Sequence, residues 1–308
     1  MWTAISLWIL NGGGLAAYAW LASREIARGG SPVLWALGAP LLYFGIVLVL
    51  CVLYFAVAWF WRARRPPGVR IGARATLRLF WREYRARVGA APRMMFYRAL
   101  VPDPAPARVD VPVLLVHGVL CNAGVWARMR GELTRRGVGG IYSLSFGPPL
   151  ASAEDFAEQL ARKIDAVLAA SGATSTIVIA HSMGGLVVRA YIRRHGAAKL
   201  ARLLTIGTPH HGSMHAWMMV GTSLSQIRPG NPWLAALNRE RIDPALRIVS
   251  LWSWHDSMVA PQTSAELPGA VDMSMIGIGH NALLGDAEVF DRAHAEIVAA
   301  RADSRRSG

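Results

Sequence analysis

"IVIAHSMGGLVVRAYI", residues 177–192, decides the fold. Ile177 to Ala180 form an apolar run that reads as a strand. His181-Ser182-Met183-Gly184-Gly185 interrupts it, and an apolar pattern of helical period follows. Ser182 therefore sits at a strand-to-helix corner. Glycines just behind it let the helix approach the strand closely, and they aim the helix N-terminus at whatever lies over the hydroxyl. A plain helix cap would also use serine, so the flanking sequence has to choose between the two readings.

Working outward, short apolar runs alternate with helical patterns. Strands are expected at 111–118, 140–146, 175–181, 201–209, 246–254 and 270–279, and helices at 154–170, 185–196 and 287–300. This alternation predicts a mostly parallel sheet with helices on both faces. In such a sheet, a site forms at the C-terminal strand ends. A serine becomes nucleophilic only with a base beside it and an acid to orient that base. His280 in "GIGHNALL" (277–284) and Asp256 in "WSWHDSMVAP" (252–261) each follow a predicted strand. Asp243 and Asp272 are rival acids, and His255 is a rival base. Backbone N–H groups of Met183 and Val119 are expected to form an oxyanion hole, an assignment from position alone.

"VPVLLVHGVLCNAGVW" (111–126), "IAHSMGGLVVR" (179–189), "TIGTPHHGS" (205–213) and "QIRPGNPWLAAL" (226–237), followed by an Asp and then "GIGHNALL", resemble bacterial triacylglycerol lipases and related esterases of the α/β-hydrolase superfamily. Ala180 stands where the G-x-S-x-G pattern has its first glycine. The resemblance spans about residues 111–295. It implies an α/β-hydrolase fold, with Ser182 as nucleophile, Asp256 as acid and His280 as base. It also implies ester cleavage without a cofactor. An acyltransferase using the same triad, or a non-catalytic scaffold with a relic fold, are the alternatives. His210, His211 and His215 lack the spacing of a metal-ligand set, so no metal is expected. His117 and His181 flank the expected site as packing or bracing residues and are candidate substrate-pocket residues. Residues 213–238, with Trp217 and Met218, are rich in Met, Trp and Leu and suit a cap lining an acyl pocket, or else an ordinary crossover.

The N-terminal third reads differently. Residues 1–61 carry three charged side chains, Arg24, Glu25 and Arg28, and residues 33–61 carry none. About 20 apolar residues suffice to cross a bilayer core. Residues 33–61 are expected to span, and residues 2–22 to form the other arm of a two-helix hairpin, giving a membrane anchor over 1–65. Residues 62–108 then hold 12 arginines against Glu83 and Asp103, most of the chain's net charge of +14. Charge placed directly after a span predicts anionic headgroups as partner rather than nucleic acid. It also predicts a catalytic domain on the cytoplasmic face of a bacterial inner membrane.

Within the 66–110 segment, Leu77, Phe80, Trp81, Tyr84 and Val88 share one helical face, with Arg74, Arg78, Arg82 and Arg85 on or beside the other. This predicts an amphipathic helix in the headgroup layer, or one packed on the catalytic domain. A four-proline linker (101–112) is expected to precede a catalytic domain over 111–300, and a basic tail (301–308) to follow it. Cys51 and Cys121 are not expected to pair.

Overall fold

A computed structural model of the chain describes residues 2–307. Six strands form one parallel sheet: β1 Val113–Val116, β2 Ile141–Leu144, β3 Thr176–His181, β4 Leu200–Ile206, β5 Arg247–Ser253 and β6 Val271–Met275. They lie side by side in the order β2-β1-β3-β4-β5-β6. Every expected strand is present, most of them shorter than expected, with β4 starting one residue earlier, and every pairing is parallel. The alternation of side chains sorts the two faces. Leu114, Val116, Val178 and Ala180 join one core cluster, and Val113, Leu115, Ile177 and Ile179 join the other. Apolar residues in both phases explain why these strands read as unbroken hydrophobic runs.

The helices in chain order are α1 Trp2–Ala27, α2 Pro32–Phe60, α3 Ala73–Val88, α4 Ala90–Met95, α5 Tyr97–Leu100, α6 Ala127–Arg135, α7 Ala153–Ser171, α8 Met183–His195, α9 Thr222–Gln226, α10 Pro232–Arg239 and α11 Ala287–Ser307. Local signals account for several boundaries. Ser152 and Asp155 close a capping box at the start of α7, and Gly172, in the left-handed region, ends it. Residues of α7 and α8 complete the first core cluster, and residues of α6 and α11 complete the second.

α1 and α2 are long and apolar enough to cross a membrane, at 26 and 29 residues. Their side chains are largely exposed, with Ile9, Leu10, Leu34 and Leu41 all near 70%. Both helices also touch the rest of the chain. Thr3 Oγ1 donates to the Cys121 carbonyl at 2.9 Å, and Trp8 Nε1 to the Met95 carbonyl at 3.2 Å. Tyr54 of α2 stacks on His215, whose Nε2 donates to the Tyr54 carbonyl at 3.0 Å. Cys51 and Cys121 are unpaired.

Three segments outside the sheet are fastened to the rest of the chain. α3 meets the catalytic domain through Glu83, with Leu79 also buried, while Leu77 and Trp81 of its apolar face stay exposed. The 101–112 segment is irregular but fastened: Val109 N–H donates to the Ser171 carbonyl at 3.1 Å, and Asp103 pairs with Lys163. The basic tail continues α11, and Arg301 donates to the carbonyls of Val111 and Gly139.

Candidate active site

Ser182 follows β3 directly and has φ 56° and ψ −131°. Positive φ is costly for a residue with a Cβ, so the surrounding packing must hold this corner. Ser182 N–H donates to the Ile206 carbonyl of β4 at 2.9 Å. Gly184 lets α8 lie against β1, since a Cβ there would stand 2.6 Å from the His117 carbonyl oxygen. The close approach expected from the two glycines is therefore present.

Asp256 follows β5 and His280 follows β6; each is 2% exposed. His280 Nδ1 donates to Asp256 Oδ2 at 2.8 Å. Asp256 Oδ1 accepts from the N–H groups of Met258 and Val259, at 2.7 and 2.8 Å. The carboxylate is thus fully bonded, which suits a buried charge. Gly207, at the end of β4, lies beneath the pair: a Cβ there would be 3.2 Å from both Asp256 Oδ2 and His280 Nδ1.

The rival acids are occupied elsewhere. Asp272 accepts from Trp252 Nε1 at 3.0 Å, and Asp243 accepts from the Ala245 N–H at 2.9 Å. His255 Nδ1 accepts from Gly277 N–H at 3.1 Å, and burial pushes its pKa down to about 4.

The neighbouring histidines act as braces. His181 Nε2 donates to the His280 carbonyl at 3.2 Å, and the two ring centroids are 4.6 Å apart. Burial, with His280 adding to it, pushes the His181 pKa far down, so the ring is neutral. His117 is also buried; its Nε2 accepts from Phe146 N–H at 3.3 Å, which leaves Nδ1 to donate to the Gly118 carbonyl at 2.8 Å. The Gly118 C=O and Val119 N–H belong to one trans peptide and point in opposite directions. Fixing the carbonyl on His117 therefore turns the Val119 N–H away from that ring. Met183 opens α8, where helix N–H groups lack intrahelical partners.

Trp217 and Met218 lie on a 3₁₀ turn, Met214–Met218, and are 57% and 53% exposed. The segment between β4 and β5 continues through α9 and α10. His210 instead bonds inward, to Thr205 Oγ1 at 3.2 Å.

One residue at this site carries only a faint signal in the sequence, a lone acid four positions before Arg87. Glu83 of α3 is 0% exposed. Its carboxylate accepts from Ser257 Oγ at 2.9 Å, from Asn281 Nδ2 at 2.7 Å, and from the N–H groups of Asn281 and Ala282 at 3.0 and 2.9 Å. Arg87 Nε lies 3.2 Å away. Gly279 makes room, because a Cβ there would come 2.6 Å from Glu83 Oε2. Ser257 is next to Asp256 and Asn281 is next to His280, so one carboxylate ties both loops to α3.

A strained serine corner after a central strand, with a bonded His–Asp pair at the same rim of a parallel sheet, defines an α/β protein of nucleophile-elbow type. The chain belongs to the alpha/beta hydrolase family, whose model matches residues 113–303. A triacylglycerol lipase of Pseudarthrobacter phenanthrenivorans is 35% identical over 118 residues, covering 36% of this chain and 36% of that protein. The chain thus spans about a third of the length of the curated relatives it matches. The mature Bacillus licheniformis lipase BlEst2 superposes with a TM-score of 0.54 at 18% identity, covering 63% of this chain and 95% of that one. Aspergillus fumigatus lipase B gives 0.56 at 19% identity, over 65% and 56%. These two likenesses concern the fold.

Proposed function

We propose that the chain is a membrane-held serine hydrolase of carboxylic esters, with lipidic or acyl esters as its substrate class. The reading is carried by the 2.8 Å His280–Asp256 pair at the rim that also presents Ser182 from a positive-φ corner. Ser182 Oγ attacks the acyl carbon while His280 Nε2 takes the hydroxyl proton. Asp256 holds the imidazole in the tautomer with hydrogen on Nδ1 and stabilises the imidazolium. The oxyanion accepts from the N–H groups of Val119 and Met183, each lowering the barrier by about 3 kcal/mol. Collapse expels the alcohol, which takes its proton from His280. Water then attacks the acyl-enzyme with His280 as base, releasing the acid and restoring Ser182. No cofactor takes part. Glu83 acts as a positioning residue by holding the acid and base loops at one spacing.

The lipid assignment rests on the neighbourhood of the 3₁₀ turn. Trp217, Met218 and Val220 expose an apolar strip on the segment whose His215 is bonded to α2. A helix in a bilayer would hold that strip beside acyl chains. Arg62, Arg64 and Arg65, which follow α2, favour a cytoplasmic catalytic domain.

Full-length protein in detergent should react with a fluorophosphonate probe at Ser182 and hydrolyse a panel of p-nitrophenyl acyl esters. Ser182→Ala should do neither. Labelling that persists in Ser182→Ala would end the proposal.

A further inference from the structure

A cleft of about 490 Å³ opens between α3, α4, the start of α6 and the Asn281–Gly285 turn. Four guanidinium groups line it: Arg82 and Arg85 from α3, Arg93 from α4 and Arg128 from α6. Arg82 pairs with Asp286. Arg85, Arg93 and Arg128 have no carboxylate partner among the described residues. Arg93 Nη2 donates to the Ala86 carbonyl at 3.1 Å, while its Nε is buried with no partner. Burial and the nearby Arg128 push the Arg93 pKa down.

Two arginine pairs elsewhere in this chain are each built around a carboxylate. Arg202 and Arg247 share Glu296, and Arg193 and Arg194 share Glu154. Like charges gathered without a counter-ion repel one another. Three of the four guanidiniums of the cleft therefore lack the anion that such a pair has. Its floor is cut back to Ala86, Ala90, Ala282 and Gly285. A Cβ on Gly285 would approach Arg128 Nη1 to 2.9 Å, so the absent side chain leaves room for that guanidinium. Planar guanidinium forks match the oxygens of a phosphate group two at a time. The volume exceeds that of a bare phosphate and suits a phosphate with an organic substituent. The carbonyl of Met95, at the end of α4, accepts from Trp8 of α1, so the cleft lies at the foot of the apolar hairpin.

We propose that this cleft is a binding site for a phosphate group carried by an anionic phospholipid headgroup or by a soluble phosphomonoester. Its lining includes none of Ser182, Asp256 and His280, and phosphate binding does not depend on the ester chemistry, so the site is tested by binding rather than turnover. Full-length protein in detergent is titrated with inorganic phosphate and with glycerol 3-phosphate at constant ionic strength, following thermal stability and calorimetric heat. In parallel, nanodiscs of phosphatidylcholine alone are compared with nanodiscs that also contain phosphatidic acid. Saturable stabilisation by the soluble phosphates places the source in solution; stabilisation by phosphatidic acid alone places it in the bilayer. Either result supports the site if Arg93→Gln with Arg128→Gln abolishes it while Arg74→Gln with Arg78→Gln, on α3 outside the cleft, retains it. Should the first pair fail to fold, Arg93→Lys decides: affinity weaker by about tenfold supports the fork, and unchanged affinity overturns it. No stabilisation from any phosphate source, or equal loss in the two pairs, also overturns it.

Discussion

Glu83 accepts a hydrogen bond at 3.0 Å from the N–H of Asn281, the residue after His280, although 198 positions separate them in the chain. A helix outside the α/β core thus holds a loop at the centre of the proposed chemistry. Glu83→Gln keeps the shape but presents an amide to several N–H donors. It should lower kcat by about tenfold or more through misplacement of the two loops, with KM for a short soluble ester little changed. Steady-state kinetics on protein shown to be folded by its thermal transition would check this; unchanged kcat would refute the positioning role.

Asp256→Asn leaves the loop nearly isosteric but removes the acceptor that fixes Nδ1–H on His280. A loss of about 10⁴-fold in kcat is expected. If a variant at Asp243 or Asp272 gave the larger loss, the pairing would be the wrong one.

Gly207 has φ +56°, and a side chain there would press on both members of the pair. Gly207→Ala should be destabilised by about 1 kcal/mol or more from backbone strain, and its kcat should fall as well. Thermal melting and kinetics on the same sample measure both effects.

Burial holds the His117 pKa at about 4, against an ordinary value of 6.5. The unfolded chain then binds the proton first as the pH falls. His117 contributes stability in full above about pH 6.5 and loses it between there and about pH 4, an amount of about 3 kcal/mol. His181 and His210 are shifted in the same direction. Denaturation of wild type and His117→Gln across this range should show the gap between them closing toward acid pH. A gap independent of pH would contradict the neutral buried ring.

Trp217→Ser with Met218→Ser removes apolar surface from the 3₁₀ turn without touching the His280–Asp256 pair. Hydrolysis of long-chain esters in micelles should fall by about tenfold or more, while a short soluble ester is cleaved nearly as before. Equal losses on both substrates would argue against an acyl-contacting role.

Much of this arrangement is legible in the sequence because strand ends announce themselves. Ser182, Asp256 and His280 each follow an apolar run that stops at a turn, and the parallel order of β3, β5 and β6 brings those turns to one rim. Position near a strand end does not separate Asp272 from Asp256; the resemblance favours Asp256, and the bond from Trp252 shows where Asp272 is occupied. Glu83 was not legible. Its partners are backbone and side-chain donors from loops 174 to 199 positions away, and no periodic pattern encodes them. The helical face of Leu77 and Trp81 was legible, but it did not identify the contact with the domain, because Glu83 makes it. An acid alone among arginines, four residues before Arg87, was the available hint.

Thr3 of α1 is bonded to the loop after β1, and Tyr54 of α2 to the turn after β4. Both arms of the hairpin are therefore bolted to the rim rather than leashed to it. For a chain inserted in a bilayer, that mounting fixes the height and tilt of Ser182 over the lipid plane. Turnover would then follow the mole fraction of ester within the sheet of lipid, and diluting the surrounding buffer would leave it unchanged.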